Sequence, residues 1–341
     1  MPPQPRNALW IPLVALAGAC AAPGEGFRAG SVLRSVDNDL LDDSDDQYTS
    51  GLSFSYLSRH ERTFADLPLP GRVARELDER WPFEGQDQRF AIYSVSHRIF
   101  TPTDLDASEV VEDDLAYSAL LYGTATVGSQ GPDELNALSL SLGVVGPLAL
   151  GEPVQSGIHE LIGSRDPKGW DNQLDNEPLL NVGYEHRRRL ARGGRPDGFG
   201  GDLLGAFSLS AGNLQTQATL ASTVRMGYRV PSNFHLQSHF LAEESLGLRA
   251  YERAPKQRSV YLFAGVAATA LGNAIYLDGN TFADSHSVSH DHHVLRGSVG
   301  VAGQYGRMLA SVAYERATLP WDHPEGLDDE SFLRLGLSWD F

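Results

Sequence analysis

The stretch 35-SVDNDLLDDSDDQYTSGLSFSY-56 puts six aspartates into the ten residues 37–46, directly before an alternating apolar run. Carboxylates at that density either hold a cation or stand in water. Asp42, Asp43, Asp45 and Asp46 do not follow a helix–loop–helix calcium hand, since the central glycine and terminal glutamate are missing. A cation site at the rim of a larger fold and a solvated loop both remain open. A second candidate lies in PVQSGIHELIG, 153–163, which reads as a short helix. Pro153 suits an early position, Gly163 a stop, and Ile158, Leu161 and Ile162 form one apolar stripe. His159 falls beside that stripe. Neutral imidazole is a natural general base near physiological pH, although a lone histidine beside an apolar face is more often a packing residue than a catalyst. A third is SHSVSHDHHV, with His286, His290, His292 and His293, which lacks the spacing of a closed tetrahedral zinc site.

What positions these groups is a chain with one dominant local period. In 331-SFLRLGLSWDF-341, Leu333, Leu335, Leu337, Trp339 and Phe341 share one face, and Arg334, Gly336, Ser338 and Asp340 share the other. Elsewhere the second face is small and polar, as with Ser53 and Ser55 between Leu52, Phe54 and Tyr56. A soluble sandwich turns its apolar side to a core, whereas an outer-membrane barrel turns it to lipid. The small second face and the terminal Phe341, like the assembly signal of bacterial outer-membrane proteins, favour the barrel. Twelve segments fit: 31–37, 50–58, 89–99, 115–128, 136–144, 180–190, 201–212, 218–229, 258–273, 292–304, 308–318 and 331–341. Twelve is even, as single-chain bacterial barrels require. Residues 235–257 contain strand-like pieces and are assigned to a loop by parity alone.

The expected fold class is therefore all-β: a transmembrane, antiparallel, up-and-down β-barrel of about twelve strands, with a short helix in an extracellular loop. With both termini periplasmic, connections 38–49, 100–114, 145–179, 213–217, 274–291 and 319–330 emerge on the outer side and carry most of the unusual residues. Within 145–179, Trp170 and Gln173 are expected to pack the loop onto the rim.

Bulk properties agree. A net charge of −17 over 341 residues leaves no basic stripe for nucleic acid. The single cysteine, Cys20, excludes an intrachain disulfide framework. No run of 18 apolar residues follows residue 30, so a transmembrane helix is not expected. Residues 1–22 read as an export signal, with Arg6 before a short apolar core and small residues after it. LAGAC also matches a degenerate lipoprotein box ending at Cys20, with Ala17 where a larger aliphatic is usual. Residues 23–341 then form a single barrel domain.

Six motifs in order resemble the lipid A 3′-O-deacylase family of outer-membrane barrels. They are N-D with an acidic loop closing as Q-Y-T-S-G, I-F-T-P-T-D at 99–104, A-Y-S-A-L-L-Y at 116–122, G-V-V-G-P at 143–147, I-H-E-L-I-G with G-W-D-N-Q-L-D-N-E-P within 158–178, and D-G-N-T-F at 278–282. The resemblance runs from about residue 31 to Phe341. It implies a calcium-dependent ester hydrolase that removes an acyl chain from lipid A. Its site would lie between the barrel wall and the helical loop, with a histidine activating water. Carried over by position, the base is His159, the metal is held by Asp39 and Thr49, and Asn38 positions the oxyanion or the metal. The chain departs from the family at Arg165, where a glutamate is expected, and near Ala107, where a lysine is expected. Arg165 and Lys168 could instead meet lipid A phosphates.

Implied partners are lipid A or lipopolysaccharide, the outer membrane and, through Phe341, the barrel assembly machinery; the barrel is expected to be a monomer. Arg187, Arg188 and Arg189 are expected to anchor headgroups near the periplasmic end of their strand. Two rivals stand beside this reading. One is an outer-membrane phospholipase with a serine nucleophile, for which Ser156 lies three residues before His159. The other is a non-enzymatic channel or structural barrel with a degenerate site.

Overall fold

In the computed structural model, which describes residues 30–38, 47–83, 85–162, 166–234, 258–321, 326 and 328–340, the period-two pattern becomes a closed wall. The strands are β1 (Gly30–Asn38), β2 (Gln47–Ser58), β3 (Gln88–Thr101), β4 (Ser118–Gln130), β5 (Glu134–Val145), β6 (Glu177–Gly194), β7 (Phe199–Gly212), β8 (Gln215–Tyr228), β9 (Arg258–Ala274), β10 (His293–Tyr305), β11 (Met308–Thr318) and β12 (Asp329–Asp340). Neighbours in sequence pair antiparallel, and β1 pairs with β12, so no sheet edge stays open. In β9, Val260, Leu262 and Val266 are each more than half exposed, whereas Tyr261, Phe263, Ala267 and Leu271 are buried. The apolar side faces out and the lumen is lined by the other side. All twelve expected strands are present, and residues 235–257 lie outside the described residues, as do the export signal, Cys20 and Phe341.

The lumen is filled. Small hydroxyl residues pair between neighbouring strands along its lining, with Ser53 Oγ 3.2 Å from Ser96 Oγ and Thr124 Oγ1 2.8 Å from Ser141 Oγ. At one end, Phe100, Leu120, Tyr122, Leu174, Leu214 and Ile275 form an apolar cluster, and Phe100 stacks on Tyr276 with centroids 4.1 Å apart. At the other, Asp202 accepts from Arg225 at 2.6 Å and Arg189 at 3.1 Å, and both arginines also donate to the Asn233 carbonyl. Phe234 packs there among Leu57, Phe90, Ile92, Leu135 and Leu204. This corrects the expectation for the arginine triplet. Period two sends Arg187 and Arg189 inward, where Arg187 bonds Glu185, and leaves only Arg188 exposed on the outside.

The rim that carries the chain termini also carries the short turns 131–133, 195–198 and 306–307, which belong on the periplasmic side of such barrels. The opposite rim therefore faces outward. It holds the connections 39–46, 102–117, 146–176, 213–214, 275–292 and 319–328, close to the expected set.

Among the described residues, two helices of ten or more residues lie against the outside of the wall. α1 (Gly71–Arg80), in the periplasmic connection 59–87, was not foreseen. Its sequence, GRVARELDER, buries only Ala74, too narrow a stripe to stand out as helical periodicity. α2 (Gly151–Ile162) is the expected outer helix; it starts two residues before Pro153, and Gly163 lies outside the described residues.

Candidate active site at the outer rim

After β5 the chain reverses sharply. Gly146 takes φ 95°, a conformation open to glycine, and Leu150 takes φ 61° at the end of the short 3-10 turn Pro147–Ala149. The reversal lays α2 against the outside of the wall, over β3 and β4. Ile99, Tyr117, Ala119, Leu121 and Val144 form the seat, and Ala149, Val154 and Trp170 pack onto it. His97, outward on β3, bonds the Ala149 carbonyl at 2.8 Å.

Along α2, Gly151, Gln155 and His159 are buried, whereas Glu152, Pro153, Gly157 and Glu160 are exposed. The i, i+4, i+8 spacing aligns the three on the wall side. Gly151 allows the close approach: a Cβ there would lie 2.3 Å from Trp170 Cη2 and 2.5 Å from Ala119 Cβ. Trp170 Nε1 donates to Gln155 Oε1 at 2.9 Å. That bond fixes the amide, so Gln155 Nε2 is a buried donor, and it has no acceptor among the described groups. His159, 1 % exposed, stands one turn further on. In the sequence, the one signal for Gln155 is its four-residue spacing from His159.

The loop is braced from three sides. Gln173 folds back onto the Trp170 carbonyl, and Trp170 lies, as expected, against the rim at Tyr117 with centroids 5.0 Å apart. Burial pushes the Tyr117 phenol up to about 12, the Gly169 backbone bond opposes the rise, and Asp104 and Asp106 add to it. Lys168 is paired with Asp106 at 2.7 Å, and Asn172 donates to the Ser108 carbonyl at 2.7 Å. Further round, the Asn280 side chain bonds both the N–H and the carbonyl of Asp175 at 2.9 Å, and Glu177 accepts from the Thr281 and Phe282 N–H groups. Two of the sequence motifs thus interlock across more than a hundred residues. Asp114, also unremarked in the sequence, accepts from the Thr103 and Leu115 N–H groups, and its carbonyl meets His286 at 2.7 Å.

The histidine run is spent in the same way. His290 faces Asp278 at 3.2 Å and His292 meets the Leu271 carbonyl at 2.9 Å. No cluster of three or more metal-capable side chains occurs among the described residues.

Asn38 closes β1 at the outer rim, in register with Leu333. Thr49 lies near the outer end of β2, inside the pairing irregularity between Gln47 and Ser50. Asp39 and Arg165 lie outside the described residues. Because β2 pairs with β3 and α2 rests over β3 and β4, the ends of β1 and β2 that flank the acid-rich turn share one rim with the His159 helix. Laterally β2 lies one to two strand spacings, ~5–10 Å, from the strands under α2, and β1 lies one spacing further. Amide, carboxylate and hydroxyl oxygens are the donor set that calcium prefers, so the residue types flanking this turn fit that ion.

No described helix is long and apolar enough to cross a membrane. The chain is similar to LpxR from Salmonella typhimurium, with a TM-score of 0.72 at 20% identity over 91% of this chain and 100% of that one. It is also similar to the beta domain of the Bordetella autotransporter BrkA, with a TM-score of 0.44 at 11% identity over 92% and 99% of the two chains. No curated protein matches the sequence. The family model described as outer membrane protein LpxR matches residues 9–341. The chain belongs to that family, the outer-membrane lipid A 3′-O-deacylases whose motifs it carries.

Proposed function

We propose that this outer-membrane protein hydrolyses the ester-linked acyl chain at the 3′ position of lipid A, with His159 as general base. The observation that carries the reading is the wall-facing line of α2, which buries an imidazole one turn from a free amide donor at the outer-leaflet level. Neutral His159 takes a proton from water as the water oxygen bonds to the ester carbonyl carbon. When the tetrahedral carbon collapses, the bond to the sugar oxygen breaks, the imidazolium returns the proton to that oxygen, and a fatty acid leaves. Gln155 Nε2 supplies a donor for the developing oxyanion, and Asn38 a second amide. Asp39 and Thr49 would hold calcium, which when bound supplies positive charge beside that oxyanion. α2 lies on the membrane side of the wall, so the released chain has hydrocarbon to enter.

Lys168 forms an exposed ion pair with Asp106, and its ammonium keeps donors for a lipid A phosphate. Side chains filling both ends of the lumen argue against a channel. Assembly through Phe341 and action as a monomer belong to the same proposal. Lipid A extracted from cells overproducing the protein, analysed by mass spectrometry, should lose the mass of one acyl chain. The His159→Ala variant should leave lipid A intact, and identical lipid A from both would remove His159 from its role. Labelling by a serine-reactive probe with loss of activity would shift the assignment to Ser156.

A further inference from the structure

The lipid-facing wall is not equally tall all round. On β9 the outward residues are exposed from Val260 to Ala270. With ~3.3 Å rise per residue and a tilt of ~35–45°, each residue adds ~2.5 Å of height, so this span covers ~25 Å, the usual outer-membrane apolar band.

Across the barrel, on β3 and β4, the wall is covered from outside at both ends. The α2 loop takes the outer end, over His97, Ile99, Ala119 and Leu121. α1 and the turn before it take the other, over Ala91, Tyr93 and Val127. Tyr93 donates to the Pro68 carbonyl at 2.6 Å, Trp81 donates to Ser129 at 2.8 Å, and Phe83 stacks on Tyr184 at 5.6 Å. Between the two covers, Val95 and Ala125 are the exposed outward residues of β3 and β4. The uncovered height is ~10 Å from Tyr93 to His97 and ~15 Å from Val127 to Leu121.

α1 also sits high. Tyr93 is five residues in from the periplasmic start of β3, whereas on β10 and β12 the exposed Tyr305 and Trp339 are the last and next-to-last strand residues. The exposed surface of α1 includes Arg72, Arg75, Glu76, Glu79 and Arg80. Charged side chains are costly in hydrocarbon, whereas a bilayer thins at modest cost per ångström. The hydrocarbon edge must therefore rise to α1, because α1 cannot sink into it.

We infer that the β3–β4 wall binds a locally thinned bilayer, with inner-leaflet headgroups lifted to α1 and ~10–15 Å of hydrocarbon beneath α2. The partner of this surface is membrane lipid itself, and the inference stands independently of the catalytic reading.

Single nitroxide labels at Val95, Ala125, Val266 and Glu79, each in a Cys20→Ser background, test it. The labelled proteins go into phosphatidylethanolamine–phosphatidylglycerol vesicles with 16- and 18-carbon chains. Power-saturation spectroscopy then reads collisions with oxygen and with a water-soluble nickel chelate, after heat-modifiable gel mobility has shown each barrel folded. The oxygen-to-nickel ratio should be several-fold lower at 95 and 125 than at 266, with position 79 open to nickel. Equal ratios at 95, 125 and 266, or a position 79 closed to nickel, would overturn the inference.

Discussion

Gly151→Ala tests how tightly the seat of α2 controls the base. The added methyl would meet Trp170 Cη2 at 2.3 Å and Ala119 Cβ at 2.5 Å. Carbon atoms rest at about 3.5 Å or more, so the helix start must lift by about 1.2 Å or the indole must swing away. Overpacking of this kind costs ~1–3 kcal/mol, which a barrel held by twelve paired strands tolerates. The consequence should fall on chemistry. His159 lies two turns along the same helix, and a ~1 Å misplacement of a catalytic group costs on the order of 100-fold in rate. Fatty-acid release from lipid A by purified protein should drop by about that factor, with heat-modifiable mobility unchanged. Adding Ala119→Gly removes one of the two clashes and should recover part of the rate. A Gly151→Ala enzyme as fast as wild type would show that the seat does not position the base.

Substitutions at three further positions have defined outcomes. Trp170→Phe removes the donor that orients Gln155, and the freed amide should lower the rate ~10-fold while Trp170→Leu, which also loses stacking on Tyr117, lowers it further. Glu177→Leu strands the Thr281 and Phe282 N–H groups, so unfolding in urea should show a loss of ~2–4 kcal/mol and proteolysis should open the outer loops first. Asp202→Ala leaves Arg189 and Arg225 buried without their carboxylate, costing ~3–5 kcal/mol in the same measurement with little effect on the rate of the folded enzyme.

The barrel was legible because its rule is local. Period two over ten residues names a strand, its two faces and, through parity, its rim. The same rule explains Arg187 and Arg189, which a charge-based reading sent to the membrane and alternation sends inward. α1 was missed because its one buried residue, Ala74, gives no stripe, and the wall it covers is not visible from its own sequence. Trp170 was read correctly as a packing residue, since an aromatic in a polar loop must bury itself nearby, whereas Gln173 bonds back onto its own 3-10 turn. Gln155 was missed because its role depends on an indole fifteen residues away. The Glu177 and Asn280 lock joins loops more than a hundred residues apart, a pairing no local pattern encodes.

The most direct measurement is release of fatty acid from purified lipid A by the purified barrel, with calcium present, chelated and restored. Release that stops on chelation, returns with calcium, and is absent in His159→Ala under all three conditions is the result expected of an oxygen-ligated ion and an imidazole acting on one ester. Release that continues in the chelator, or in the His159→Ala protein, would contradict it.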